Sequence, residues 1–230
     1  MKPAVSTIIP VLNDTLALRR CLNALRACEQ SELNQIIVVD GGASPECRAT
    51  ALEFGAAYVS SDPGRGVQMN RGAALATGAW LWFLHADCTA SKACVASFLD
   101  RETSDVWGCF QHSIDAPSKW LRVIEAADNW RARALRTPYG DQGIFVRADV
   151  FRAVGGFEPV RLLEDVLLAR RLAEWRAPLV LKPLLTCDAR RWLRDGILHT
   201  TLTNWRIVFE FACLKKTPDE LAALYHKMEL

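Results

Sequence analysis

Four small groups of residues in this chain have the types and spacing to handle a metal, a phosphate or a proton. His85-Ala86-Asp87 closes an apolar run, Trp80 to Leu84. Residues two apart on an extended chain point to the same side, so an imidazole and a carboxylate there can face one divalent ion. Glu164-Asp165 stands inside L-L-E-D-V-L-L. Acids in a first helical turn complement the helix dipole, yet two acids between apolar pairs are poorly explained by solvent exposure. Arg65 is a cation flanked by Gly64 and Gly66. Asp40 ends a β-branched run just before Gly41-Gly42. An acid there holds ribose or base in nucleotide-binding α/β folds, and elsewhere simply forms a turn.

The elements that must position these groups alternate. Val5 to Leu12 and Ile36 to Asp40 read as strands, separated by a helix that Asn13-Asp14-Thr15 caps and Leu16 to Leu25 continues. A helix at about Glu46 to Phe54 and a strand at Ala57 to Ser60 follow. A small-residue helix with Ala73, Ala74 and Ala76 then leads past Gly78 into the buried strand that delivers His85 and Asp87. Such alternation implies a mostly parallel sheet with helices on both faces, and ligands gather at the carboxyl ends of its strands.

Beyond Trp107 to Ile114, a further strand, Ser118 to Arg136 reads as a helix. Its apolar stripe, from Trp120 and Leu121 through Ile124 and Trp130 to Leu135, is expected to pack inward with arginines on the other face. Trp80, Trp82, Trp120 and Trp130 are accordingly expected in the core. Val180 to Leu185 reads as a last strand. Residues 189–230 read as a helical extension of a domain spanning 1–188. Its apolar segment, Ile197 to Leu214, is interrupted by Arg206 and Glu210. Packing against the sheet is expected for it, with an interfacial or dimer-forming helix as the alternative. Pro218 to Tyr225 closes the chain as a short helix.

Bulk properties exclude several classes. Among 230 residues, half are hydrophobic and the net charge is +2, too weak a bias to imply nucleic acid. The eight cysteines form no C-x-x-C pair, which favours reduced, buried thiols in a cytoplasmic protein. Met1-Lys2-Pro3 leads straight into the first strand without a leader pattern, and no apolar run approaches the ~18 residues of a membrane span. Peripheral membrane contact remains open. No G-x-G-x-x-G follows the first strand, which disfavours a dinucleotide enzyme.

Taken in order, I-I-P-V-L-N, V-V-D-G-G-A-S, G-R-G-V-Q-M-N-R-G, F-L-H-A-D, G-G-F and E-D-V-L-L resemble the family 2 glycosyltransferases, nucleotide-sugar enzymes of GT-A fold. The resemblance covers about residues 4 to 185. The H-A-D triplet, Gly140-Asp141-Gln142-Gly143 and A-R-R-W look most like a bacterial branch of that family labelled as arsenosugar-biosynthesis glycosyltransferases. The resemblance implies a nucleotide-sugar site made of Pro10, Val11, Asn13, Asp40, Arg65, Gln68, Asn70, His85, Ala86 and Asp87. Asp87 would hold Mn2+ or Mg2+, and Asp165 would be the general base. Asp141, Gln142, Glu164, Arg191 and Trp192 would lie toward the acceptor.

Departures from the family pattern qualify this. His85 replaces the first acid of D-x-D, so it either joins Asp87 on the metal or contacts the nucleotide directly; an imidazole suits Mn2+ better than Mg2+. Asp188 stands where processive members carry Gln, which argues against a polymerising synthase. The implied reaction is inverting transfer from a nucleoside-diphosphate sugar to a hydroxyl on a small metabolite or a lipid phosphate. Two alternatives are a degenerate, non-catalytic nucleotide-sugar-binding protein and a sugar nucleotidyltransferase. The latter would carry a glycine-rich loop where Pro10 to Asp14 stands.

Overall fold

The computed structural model describes residues 4–28, 35–99 and 104–228, with side chains described to residue 223. The leader expectation at residues 1–3 and the side chain of Tyr225 lie outside the described residues. The first half is a run of strand-helix units: β1 (Val5–Val11), α1 (Thr15–Ala27), β2 (Gln35–Asp40), α2 (Pro45–Glu53), β3 (Ala57–Ser60), α3 (Arg65–Leu75) and β4 (Trp80–Phe83). The second half adds β5 (Cys88–Thr89), α4 (Lys92–Leu99), β6 (Trp107–Ile114), α5 (Lys119–Ala134), a 3-10 turn (Gly140–Gln142), β7 (Phe145–Arg147) and α6 (Ala148–Ala153). The chain continues through α7 (Glu164–Trp175), β8 (Leu179–Cys187), α8 (Arg190–Asp195), α9 (Ile197–Cys213) and α10 (Pro218–Met228).

One sheet, ordered β3-β2-β1-β4-β7-β6-β8-β5, joins both halves. The β3-β2-β1-β4 half is parallel throughout. β7 then inserts antiparallel between β4 and β6, β8 runs parallel to β6, and β5 returns antiparallel to β8. All seven residues of β1 are buried, because helices cover both faces. The two-residue period of a strand sends Val5, Ile9 and Val11 to one core and Ile8 to the other. Trp82 and Phe83 divide in the same way, Trp82 against Phe98 and Phe110, Phe83 against Phe151 and Phe157.

Register decides where the site falls. Val11 pairs with Asp40 and Asp40 with Ser60, so β1, β2 and β3 end level. The Leu84 amide still donates to the Ile8 carbonyl, after which the chain leaves the sheet. His85 and Asp87 thus emerge on the same carboxyl edge.

Two helices differ from the sequence expectation. α5 buries Leu121, Glu125, Asn129 and Ala132, while Trp120 and Trp130 are exposed rather than in the core. The cause is the edge of β6. β7 pairs with β6 only at Trp107 and Gly108, leaving the far end of that edge unpaired by a strand. Asn129 exchanges two hydrogen bonds with the His112 backbone, accepting from its N–H at 3.0 Å and donating to its carbonyl at 3.1 Å. Glu125 accepts from the Ile114 N–H. Satisfying buried backbone groups outweighs burying the tryptophans. α9 likewise does not lie on the sheet: it packs with α5, α8 and α10. Among the described residues no helix is long and apolar enough to cross a membrane.

Candidate active site

The end of β4, the 3-10 turn, the first turn of α7, the end of β8 and the inner sides of α8 and α9 enclose a cavity of about 220 Å³. Arg65, His85, Asp87, Asp141, Glu164 and Asp165 line it on one side, with Asp188, Arg191 and Trp192 on another. The two acid groups singled out above, 77 positions apart, share this space.

Asp165 is held by backbone. Its Oδ2 accepts from the Gly140 N–H at 2.6 Å and its Oδ1 from the Val166 N–H at 2.7 Å. Leu163, just before the helix, has φ 66°, an uncommon conformation for a leucine that turns Glu164 and Asp165 into the cavity. Gly140 makes the meeting possible. A methyl there would stand 2.6 Å from two ring atoms of His85 and 3.5 Å from Asp165 Oδ2. Gly66 has the same role beside Arg65, where a Cβ would meet the Glu158 carbonyl oxygen at 2.5 Å.

The electrostatics separate neighbouring groups. Burial pushes the Glu164 carboxyl up to about 7; the adjacent Asp165 adds to this, and Arg65 opposes it. His85 is held below the usual imidazole range, first by burial and then by Arg65, against the pull of Asp87, Asp141 and Asp165. It is therefore neutral and able to ligate. His112, hidden on β6, behaves oppositely. Burial lowers it, but Asp141 at 3.6 Å and Asp128 at 3.4 Å win and push it up to about 11. This imidazolium makes a buried charge bridge beneath Asp141 that the sequence did not signal. β6-β8 pairing brings Cys187 to the cavity wall and sets His112 behind Asp141, which lines it. Cys187 stands across from Cys88 with the sulfurs 3.0 Å apart.

Other candidates lie elsewhere. The Gln68 amide is buried and donates to the Val11 and Val39 carbonyls at 2.8 Å each, stapling β1 to β2. Asn70 clasps Phe157, donating to its carbonyl and accepting from its N–H. Gln142 donates to Phe110 O and Asn129 Oδ1. These three amides are engaged in holding the frame, and none of them lines the cavity. Asp40 is also fully buried; it accepts from the Gly42 and Ser44 N–H groups and from the Tyr58 hydroxyl. That is turn chemistry. Pro10 and Val11 are buried at the end of β1, Asn13 is exposed beside Gly42, and Ala86 is buried; none of them lines the cavity. Asp188 pairs with Arg20 and, at 2.7 Å, with Arg190, which also reaches Asp14 at 2.6 Å.

The residues fit a divalent ion in a limited way. His85 Nε2 is buried without a hydrogen-bond partner, and Asp87 is exposed to the cavity. Among the described residues no group of three ligands is close enough to hold an ion unaided.

A sheet of this order with an acid-lined cavity at its carboxyl edge is the GT-A architecture of the glycosyltransferases. Solved structures agree. A mannosyltransferase from Pyrobaculum calidifontis, in complex with GDP-Man and Mn2+, superposes with a TM-score of 0.68 over 100% of this chain and 69% of its own, at 14% identity. Glucosyl-3-phosphoglycerate synthase from Mycobacterium tuberculosis, with Mn2+ and UDP-Glc, gives 0.58 over 80% and 70%, at 16% identity. The model of glycosyl transferase family 2 matches residues 6–155, and the chain belongs to that family. A PGL/p-HBAD biosynthesis glycosyltransferase of Mycobacterium bovis is 37% identical over 188 residues, 75% of this chain and 67% of the relative. An uncharacterized glycosyltransferase of Mycobacterium tuberculosis is 36% identical over 116 residues, and the match spans less than half of that relative's length, 44%.

Proposed function

We propose that this chain transfers a glycosyl group from a nucleoside-diphosphate sugar to an acceptor hydroxyl, with inversion and one sugar at a time. The observation that carries the reading is that Asp165, Arg65 and Asp87 line one cavity. A diphosphate leaves as negative charge accumulates on it, and Arg65 is placed to stabilise that charge where it develops. A Mn2+ or Mg2+ ion on Asp87, with His85 as a second ligand, would supply further positive charge there. Asp165, fixed by two backbone N–H groups, takes the acceptor proton at a carboxylate oxygen as the hydroxyl attacks. Inversion follows when the attack comes from the face opposite the leaving group.

Asp188, occupied by Arg20 and Arg190, supports the non-processive reading. Arg191 and Trp192 belong to the wall on which the acceptor would rest. The complexes of structural neighbours with GDP-Man and with UDP-Glc support the donor class.

The test is Asp165→Asn. Turnover should fall by roughly 10² to 10⁴ while Mn2+-dependent thermal stabilisation by the donor persists. A folded variant with wild-type turnover overturns the assignment. A screen of nucleoside-diphosphate sugars by that same stabilisation identifies the donor before any acceptor is known.

A further inference from the structure

Two neighbouring helices wear their apolar residues outward. On α9 the buried side carries Thr200, Thr203, Ile207 and Glu210. Leu198, Leu202, Trp205 and Phe209, spaced i, i+4, i+7 and i+11, face solvent, Trp205 with 65% of its surface exposed. α5 does the same with Trp120, Val123 and Trp130 outward and Glu125 and Asn129 inward. The helices meet where Ile124 packs near Trp192 and Ile197. Val123 and Leu198, next in sequence to Ile124 and Ile197, belong to the exposed stripes on either side of that seam.

The exposed charge around this surface is predominantly positive. Lys119, Arg122, Arg133 and Arg136 are exposed along α5, and Arg194 and Arg206 along α8 and α9. Three of these cations are paired with acids of the same segments, Arg122 with Glu125, Arg194 with Asp195 and Arg206 with Glu210, so the positive rim is carried by Lys119, Arg133 and Arg136 at the α5 side. Glu125 and Glu210 are buried, Asp128 faces His112, and Asp195 is paired with Arg194. Large apolar and aromatic side chains with a basic rim are the composition of a helix face that lies in a lipid interface. A second copy of the chain docked through this face would set basic rim against basic rim.

We propose that the α5–α9 face seats on an anionic bilayer, with Trp120, Trp130, Leu202 and Trp205 entering the headgroup region. α9 would then lie between bilayer and cavity, since Asn204, Ile207 and Val208 on its other side line the cavity. Docking there would bring a membrane-borne acceptor to Asp165, a consequence that rests on the transferase reading; the docking itself does not.

The probe is flotation of the purified chain with vesicles of phosphatidylcholine containing phosphatidylglycerol, beside vesicles of phosphatidylcholine alone. The chain should float with the anionic vesicles, less so at high salt, and its tryptophan emission should shift to the blue. Leu202→Glu with Trp205→Glu, and separately Trp130→Glu, should lower partitioning by about tenfold or more. Their melting temperatures should stay at wild type, because those side chains leave no cavity. Failure of the wild type to float, or equal flotation of the variants, overturns the proposal. So does self-association that the same variants abolish without any vesicle binding, which would make the face a dimer interface. Asp165→Asn should float as wild type, so a failed transferase reading is told apart from a failed docking face.

Discussion

Gly140→Ala tests the geometry of the cavity with a single methyl. The glycine's backbone is outside the positive-φ set, so alanine is sterically allowed by its own chain. The added carbon would stand 2.6 Å from Cε1 and Nε2 of His85 and 3.5 Å from Asp165 Oδ2. Carbon contacts settle at about 3.5–4.0 Å, so the ring must retreat by roughly 1 Å. Overpacking of this kind costs about 1–3 kcal/mol, or a fall in Tm of roughly 2–12 °C for a chain of this size. A displacement of about 1 Å among groups that position a substrate costs about 10² in rate. The assay is release of nucleoside diphosphate from the donor, run beside thermal melts. His85→Ala then removes the obstacle: the double variant should melt like His85→Ala alone, the coupling expected of touching residues. Turnover within about twofold of wild type, or additive melting shifts, would refute the contact and the role drawn from it.

Two further predictions concern the frame and the protons. Gln68→Leu should destabilise the chain by about 2–4 kcal/mol, read as a lower urea midpoint, because it removes two buried hydrogen bonds that join β1 to β2. Glu164, raised to about 7 from 4.5, binds a proton in the folded state that the unfolded chain has already released. Its favourable contribution is present below about pH 4.5 and lost as the pH rises through about 7, a change on the order of 3 kcal/mol. Glu164→Gln should therefore melt higher than wild type above about pH 7 and flatten the pH dependence of Tm between about pH 5 and 8. A wild-type profile in that variant would place the raised carboxyl elsewhere.

Much of the fold was legible locally. The β-branched runs and the strand-helix alternation through residue 84 set out the parallel half, and Asp14 caps α1 by accepting from Ala17 as its residue type suggested. The same alternation put His85 and Asp87 at a strand's carboxyl end. What a side chain touches was less legible, because the same amide can bind a ligand or staple two strands. Gln68, Asn70 and Gln142 proved to be staples. The stripe of α5 was visible as a pattern but its direction was not: which side turns inward depends on the open edge of β6, a feature of strand pairing far away in sequence. Cys187 joins the cavity, and His112 backs Asp141 from behind it, for the same reason, through β6-β8 register. By itself the sequence determined most of the strands and helices, though not α4, β5 or α8, and which residues have the types to do chemistry, since those follow from periodicity and residue type. Only the tertiary structure decided which of those residues share one space, because that depends on backbone groups finding hydrogen-bond partners across the sheet.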